Sequence, residues 1–217
     1  MIDIEIAGEP VRLLSQRAMY LVRANTLVVA DLHWGKEETF RAAAIAIPDG
    51  PVRDDLTRLS KALDITGAAR LLVLGDMWHA RAGKSAALLG ALSAWREEHA
   101  ELAIDLVRGN HDRHAGDPPS VLRIRCVSEP LVELPFAFRH FPDPHADGYV
   151  LAGHLHPSVV LHGTRKERLR LSCFWVGPDV AVLPAFGSFT GTAIVRPREV
   201  DRVFVIADGH VLHVGEN

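Results

Sequence analysis

The chain has 217 residues, 48% of them hydrophobic and 24% charged, which predicts one globular α/β domain over residues 1–217 and excludes a disordered chain. The formal net charge of -3 argues against strong sequence-independent nucleic-acid binding, although a local basic face stays open. Residues 1–5 lack signal-peptide features, and no apolar run approaches the roughly 18 residues of a membrane span. Cys126 and Cys173 make no disulfide framework, so we expect reduced thiols in a cytoplasmic protein.

Alternating strand and helix patterns fill the first half of the chain. Strands are predicted at residues 2–6, 11–14, 18–22, 26–30, 71–74 and 103–107, and helices at residues 36–45, 52–66 and 85–99. Strand–helix–strand alternation with helices of this length indicates a parallel sheet. Ligands of such sheets gather at the carboxyl ends of the strands.

Short strand patterns dominate the second half of the chain. They lie at residues 121–127, 131–134, 137–139, 149–152, 159–161, 169–176, 180–183, 193–196 and 203–206. Helical patterns are scarce there, which predicts a mainly antiparallel or mixed second sheet packed against the first. With no linker, repeat or low-complexity segment, the chain is expected to form one domain with two sheets.

Residues of the types that bind divalent metals follow several of the predicted strands. They are Asp31, His33, Asp76, Asn110, His140, His154 and His156. Two carboxylates, one amide oxygen and four imidazoles are enough to hold two divalent ions, and such a pair typically binds a phosphate ester while water attacks it. Each motif taken singly has a structural explanation, such as a polar turn or a buried histidine, so the prediction rests on their combination.

Two pairs of these residues are separated by a single position. If the backbone is extended there, Asp31 and His33 point to one face and can bind one ion. The two histidines of the Gly153–His156 segment also suit an extended segment, with Leu155 buried on the opposite face.

His111 directly follows Asn110 and is expected to project toward the substrate rather than the ions. An imidazole can carry a proton near neutral pH, so this residue could protonate the departing alkoxide as a general acid. The structural alternative is an Asx-type turn with a surface histidine.

The series Asp-x-His, Gly-Asp, Gly-Asn-His-Asp, His and Gly-His-x-His, from residue 31 to residue 156, resembles the calcineurin-like metallophosphoesterase superfamily. The resemblance implies a four-layer α/β/β/α sandwich with two mixed sheets flanked by helices. It implies one metal on Asp31, His33 and His156 and a second on Asn110, His140 and His154. Asp76 would bridge the two ions, and His111 would act as the catalytic acid or orient the phosphate.

Three further segments narrow the resemblance: residues 31–36, residues 183–191, and residues 75–79, in which His79 stands three positions after Asp76. They are similar to the ligase-associated DNA damage response phosphodiesterase and endonuclease family. That resemblance implies a DNA-repair role with links to DNA ligase and helicase proteins, nucleic acid bound through a local surface, and no membrane. Its favoured metal is Mn²⁺, while the donor set also suits Fe or Zn.

Several residues around the motifs have two interpretations. His79 would lie near His111 and act with it in catalysis, or it would simply line the site. Arg108 and Arg81 are candidates for substrate binding, although arginines beside loops are mostly solvated. Trp34 and Trp78 would stack on a base or pack against the wall of the site, and packing is favoured.

Three functions remain open from the sequence. The leading prediction is a binuclear metal-dependent phosphodiesterase, of which a DNA-repair endonuclease is a special case. The second is a phosphomonoesterase of the same fold. The third is a non-catalytic scaffold, which the complete set of seven ligand residues and His111 disfavours. The sequence fixes neither the natural substrate nor whether the protein is a monomer or a homodimer.

Overall fold

The computed structural model describes residues 1–42, 50–162 and 167–215. Its strands are β1 (Ile2–Ile6), β2 (Glu9–Leu14), β3 (Ala18–Leu21), β4 (Thr26–Val29), β5 (Arg70–Leu74), β6 (Ala103–Val107), β7 (Ile124–Val127), β8 (Leu131–Glu133), β9 (Phe136–Phe138), β10 (Tyr149–Ala152), β11 (Pro157–His162), β12 (Arg168–Val176), β13 (Val180–Val182), β14 (Ala193–Ile194), β15 (Arg202–Ala207) and β16 (His210–Val214). Its α-helices are α1 (Lys36–Ala42), α2 (Pro51–Thr66), α3 (Ala86–Glu98) and α4 (Asn110–Ala115).

The first sheet contains β1 to β7 in chain order. The four N-terminal strands pair antiparallel through hairpins, whereas β4, β5, β6 and β7 are parallel. The parallel half is the one predicted from strand–helix alternation. It places the carboxyl ends of three neighbouring strands at one edge.

The second sheet has the strand order β14-β11-β12-β13-β10-β9-β8, with β15 and β16 attached through β12. It is mixed, as predicted, because β9, β10 and β13 pair parallel while β12 pairs antiparallel with three neighbours. The fold is therefore mixed α/β with two mixed sheets and few helices. All four α-helices of the described residues fall between residues 36 and 115.

Alternation along the strands builds two apolar layers. In β4, Val28 belongs to the cluster that lies between the two sheets together with Leu72 and Phe174. Its neighbour Leu27 faces the other way, toward the cluster that contains Leu59 of α2. Because successive side chains of a strand point to opposite faces, one strand serves both layers.

Some local expectations differ from the structure. The chain forms α4 at residues 110–115, where no helix was predicted, and β16 has no counterpart among the predicted strands. The predicted helix at residues 36–45 is seen as α1 to Ala42, and its last three positions lie outside the described residues. Trp34 and Trp78 are buried, 4% and 0% exposed, which confirms their packing role.

Both cysteines are free thiols, and burial raises the pKa of Cys126 to about 11. None of the helices in the described part of the chain combines the length and apolar character that crossing a membrane requires.

Candidate metal centre

The seven predicted ligands meet where strand ends of the two sheets approach each other. Asp31 and His33 follow β4, Asp76 follows β5 and Asn110 begins α4 after β6, so the parallel register brings these four residues to one edge. The second sheet contributes the other three positions, after the parallel strands β9 and β10. Those positions hold His140, His154 and His156.

Asp31, His33 and His156 form the first ligand group. Oδ1 of Asp31 lies 3.4 Å from Nε2 of His156, and the Nε2 atoms of the two histidines are 3.3 Å apart. One donor atom of each residue lies within 4.8 Å of the others. The backbone N–H of His154 donates to Oδ2 of Asp31 over 2.8 Å, which leaves Oδ1 facing the group.

Asn110, His140 and His154 form the second ligand group. Nε2 of His140 lies 2.9 Å from Oδ1 of Asn110 and 3.1 Å from Nδ1 of His154. Nδ1 of His140 lies 3.0 Å from the carbonyl oxygen of Leu74. A proton on Nδ1 donated to that carbonyl leaves Nε2 as the donor atom for an ion, which is the usual orientation of metal-binding histidines.

Asp76 lies between the two groups. Its Oδ2 atom is 3.3 Å from Nε2 of His140 in the second group and 3.8 Å from Nε2 of His33 in the first. Its Oδ1 atom accepts a hydrogen bond of 2.9 Å from the backbone N–H of His111. This position is the one that a bridging carboxylate needs.

Three glycines make room for three of the ligands. A Cβ atom on any of them would collide with a ligand side chain from another segment. The pairs are Gly75 with His140, Gly109 with Asp76, and Gly153 with Asp31. Each motif glycine therefore serves a ligand contributed by a different strand end, in addition to any role in bending its own backbone.

The extended backbone expected around the ligand pairs is wrong. Five ligands have positive φ angles, namely Asp31 (56°), His33 (48°), Asp76 (50°), His154 (70°) and His156 (48°). A left-handed conformation costs an L-residue about 1–2 kcal/mol, and such strain concentrates at functional sites. Leu155 is correspondingly half-exposed instead of buried. The side chains converge because each backbone turns sharply, not because alternate residues share one face.

Burial and contacts among the predicted ligands shift the pKa values of several of them. Burial lowers the pKa of His33 to about 3. For His140, burial acts in the same direction, but the hydrogen bond to Asp76 and the charges of Asp31 and Asp76 outweigh it and raise the pKa to about 9. Burial raises the pKa of Asp76, yet the hydrogen bond and charge of His140 bring it below the usual value.

The donor set fits a pair of divalent ions. Oδ1 of Asp31 is buried and has no hydrogen-bond partner among the described residues, although it faces the first ligand group. An unpaired buried carboxylate oxygen is costly unless a cation satisfies it. Imidazoles mixed with carboxylate and amide oxygens suit Mn, Fe or Zn, and this chemistry does not choose among them.

His111 and His79 lie beside the first ligand group. Nδ1 of His111 is 2.7 Å from the carbonyl oxygen of His79, and the two rings stack with centroids 5.2 Å apart. Nε2 of His111 lies 3.9 Å from Oδ2 of Asp76. Burial, followed by the charge of His111, lowers the pKa of His79. The structure thus brings both predicted catalytic residues together, and their roles stay predictions.

The two arginines predicted to bind substrate, Arg108 and Arg81, lie in different surroundings. Arg108 donates two hydrogen bonds to Asp117, over 2.7 and 2.8 Å, so a carboxylate already neutralises its charge. Arg81 begins a short 3-10 helix, Arg81–Gly83, and is exposed. Their contact with substrate is still a prediction.

Two carboxylates that brace the site have no role in the sequence interpretation. Asp112 is buried and accepts the backbone N–H groups of Gly109 and Trp78, over 2.9 and 3.1 Å. Glu129 accepts the N–H of His140 over 2.8 Å. Asp112 stands inside a recognised motif, which was a usable signal, whereas nothing local marks Glu129.

Comparison with known proteins bears on what this cluster does. No family model matches the chain, and no curated protein sequence matches it. Among solved structures, the chain is similar to the crystal structure of the nuclease MPE from Pseudomonas putida, with 41% sequence identity, a TM-score of 0.87, and coverage of 98% of this chain and 99% of that chain. This chain belongs to the calcineurin-like metallophosphoesterases. The YfcE phosphoesterase from E. coli matches with 15% identity and a TM-score of 0.43 over 88% of this chain and 99% of its own, a likeness too weak to bear on the fold.

Family membership and the ligand cluster together define the chemistry. This metallophosphoesterase is a metal-dependent phosphoric ester hydrolase whose histidine and aspartate clusters suit a binuclear divalent metal site. The histidine and aspartate clusters, combined with its similarity to MPE, support a metal-dependent phosphodiesterase.

Proposed function

We propose that this metallophosphoesterase is a Mn²⁺-dependent phosphodiesterase that cleaves nucleic-acid strands in DNA repair. The observation that carries the proposal is the position of Asp76 Oδ2 between His140 and His33, because it joins two complete ligand groups into one binuclear site. Nucleic acid is the favoured substrate because the similar structure, which covers almost the whole chain, is that of a nuclease.

Two ions would be held by the two ligand groups with Asp76 shared between them. When bound, such a pair supplies an activated water nucleophile and neutralises charge on the phosphate oxygens. The protein's own contribution is to fix the donors in place through the Leu74 carbonyl, the His154 N–H and the glycine clearances. Fixed donors need no rearrangement during the reaction.

His111 is proposed as the proton donor to the leaving oxygen. A proton on its Nδ1 atom donates to the carbonyl oxygen of His79, so Nε2 is the nitrogen that faces the site. That nitrogen can carry a second proton and release it to an alkoxide. His79 stacks against the ring and limits its rotation, which makes it a positioning residue for His111.

A phosphomonoesterase is the second candidate within the same chemistry. The complete donor set does not distinguish a diester from a terminal phosphate. A non-catalytic scaffold has less support, because all seven ligands and His111 converge in the folded chain.

The test uses metal-stripped protein with Mn²⁺ added back. Bis(4-nitrophenyl) phosphate and 4-nitrophenyl phosphate are compared, followed by single-stranded and duplex oligodeoxynucleotides. Turnover of the diester and of at least one oligonucleotide, both dependent on metal, is the expected result. Turnover of the monoester alone would reassign the protein as a phosphatase, and no turnover with two ions bound would favour the scaffold.

A further inference from the structure

The loop at residues 187–191 is attached to the first ligand group at both ends. The N–H of Gly187 donates to the carbonyl oxygen of Asp31 over 3.1 Å. The carbonyl oxygen of Gly191 lies 3.1 Å from Nδ1 of His156. Gly187 is pressed against the backbone of Leu32, where a Cβ atom would have no room. Any residue in the middle of this loop is therefore held beside the metal centre.

The same loop is also held by residues outside the two ligand groups. The N–H of Ser188 donates to Oδ1 of Asp55 over 2.9 Å, and Asp55 is paired with Arg58 over 2.7 Å. Arg58 also donates to the carbonyl oxygen of Phe186. Arg17 reaches the carbonyl oxygen of Gly187 over 3.4 Å. A loop with this many ties presents its side chains in a fixed geometry, which lowers the entropy lost when a ligand binds.

Phe189 occupies the middle of this braced loop and is only partly buried. Its ring meets that of Phe40 edge to face, with centroids 5.7 Å apart and planes at 88°. The Nζ atom of Lys36 lies 6.0 Å from the centroid of Phe189. Phe40 and Phe189, together with the ammonium of Lys36 beside them, form a surface on one flank of the metal centre. We call these three residues the aromatic platform.

Lys36 connects the platform to the first ligand group. Its backbone N–H donates to the carbonyl oxygen of His33 over 3.2 Å, which places Lys36 next to the first ligand group. Lys36 is half-buried, and no carboxylate among the described residues pairs with it. Because this ammonium is half-buried and has no acid partner among the described residues, it is suited to binding an anion such as a phosphate.

We propose that the aromatic platform is a nucleotide subsite, in which Phe189 stacks on an unpaired base and Lys36 contacts a backbone phosphate next to the scissile one. Aromatic side chains bind every base through its π-face, and a neighbouring cation follows the backbone. The subsite therefore predicts selection for a strand that carries unpaired bases, without preference for sequence. It rests on the proposed cleavage of nucleic acid and names the residues that select the strand.

The decisive experiment compares two single-stranded substrates that differ only in their bases. One is a short oligothymidylate, and the other carries abasic tetrahydrofuran residues around the cleaved phosphate. The wild-type protein should have a kcat/KM about tenfold higher on the first, since stacking on an aromatic ring contributes about 1–3 kcal/mol per base. In Phe189→Ala the ratio of the two values should fall to about one, whereas Phe189→Trp should keep it.

Two further variants separate stacking from folding. Phe189→Leu keeps an apolar contact with Phe40 but removes the aromatic face, so it should lose the preference while remaining folded. Leu169→Ala, which shortens an exposed side chain of β12, should retain the wild-type ratio. An unchanged ratio in both Phe189→Ala and Phe189→Leu would overturn the subsite.

The contribution of Lys36 is tested through salt dependence. Lys36→Gln should make the slope of log kcat/KM against log salt concentration shallower by about 0.7, the value for one phosphate contact to a single strand. Lys36→Arg should restore most of the slope, and the matched control Lys61→Gln on the exposed face of α2 should leave it unchanged. An unchanged slope in Lys36→Gln would refute the phosphate contact.

The outcomes for the two proposals are distinct. If wild-type protein hydrolyses bis(4-nitrophenyl) phosphate but cleaves neither oligonucleotide, the nucleic-acid function fails and the subsite fails with it. If both oligonucleotides are cleaved at equal rates by wild-type protein, the nuclease function stands and the stacking role of Phe189 is overturned.

Discussion

The imidazole of His140 occupies the space that a side chain on Gly75 would need. Gly75 also has a φ of +79°, a conformation that glycine adopts without steric cost. Gly75 follows β5 in the first sheet, and His140 follows β9 in the second. The missing Cβ atom therefore sets how closely the two sheet edges approach at the metal centre.

Gly75→Ala should displace the His140 ring and weaken the second ligand group. The left-handed backbone adds about 1–2 kcal/mol of strain, and overpacking typically costs about 1–3 kcal/mol more. We expect a lower melting temperature and loss of one of the two bound ions. Calorimetry and elemental analysis of the Mn²⁺-loaded protein measure both effects.

Gly90→Ala is the matched control for that substitution. Gly90 lies within α3, and a Cβ atom there would meet nothing within 4 Å. Alanine is favoured over glycine in a helix by about 1 kcal/mol, so this variant should melt at the same or a higher temperature and keep both ions. Equal behaviour of the two variants would show that the space beside Gly75 is not required.

The convergence of the predicted ligands at one site could be anticipated because the sequence signal of each one is local. A residue such as Asp76 or His154 follows a strand pattern directly, and the parallel order of β4 to β6 brings such ends together. Residue type and position along the chain therefore carried most of the information about the metal centre. The two-sheet fold followed from the change of pattern in the middle of the chain.

The remaining features depend on contacts between distant segments. The sequence predicts extended backbone at Asp31 and His156, but both residues adopt left-handed turns. Contacts with distant segments stabilise this conformation, which is unfavourable for these residues in isolation. Glu129 matters only through its contact with the His140 backbone, which no local pattern encodes. The loop that carries Phe189 has no periodicity and is defined by its ties to the ligands.

Asp76→Asn should separate the size of the bridging residue from its charge. The amide oxygen can still accept the N–H of His111, but the negative charge between the two ligand groups is lost. We expect metal affinity and kcat to fall by at least about 100-fold, more than the usual effect of an outer-sphere residue. Titration with Mn²⁺ and diester hydrolysis measure this change, with Asp64→Asn on the exposed face of α2 as control. Full activity with two ions bound would contradict a bridging role.

Metal binding should release a proton from the site at neutral pH. In the metal-free protein the pKa of His140 is raised to about 9, so its ring is protonated at pH 7 and must lose that proton to bind an ion. The apparent Mn²⁺ affinity should therefore rise as the pH increases from about 7 to 9. Calorimetric titration in two buffers with different ionisation enthalpies counts the released protons.

The raised pKa of His140 also affects the stability of the metal-free protein. A histidine whose folded-state pKa is raised stabilises the fold fully below its unfolded pKa of about 6.5, and this stabilisation is lost as the pH rises through 9. Added Mn²⁺ should offset the loss, so the increase in melting temperature caused by metal should grow between those pH values. A metal-induced increase that is constant with pH would contradict the protonated state of His140.

His111→Ala should separate metal binding from proton transfer. The substitution leaves the backbone N–H that donates to Asp76 in place, so both ions should remain bound. Without a donor for the leaving oxygen, the rate should fall by about 10²–10⁴-fold on diesters with alkoxide leaving groups. Nitrophenolate departs without a proton, so bis(4-nitrophenyl) phosphate should be affected much less. The rates of His111→Ala are measured on a series of aryl and alkyl diesters. They are compared with the rates of His210→Ala, which removes an exposed imidazole on β16. A uniform loss across the series would assign His111 to phosphate binding, because an interaction with the phosphate does not depend on the leaving group.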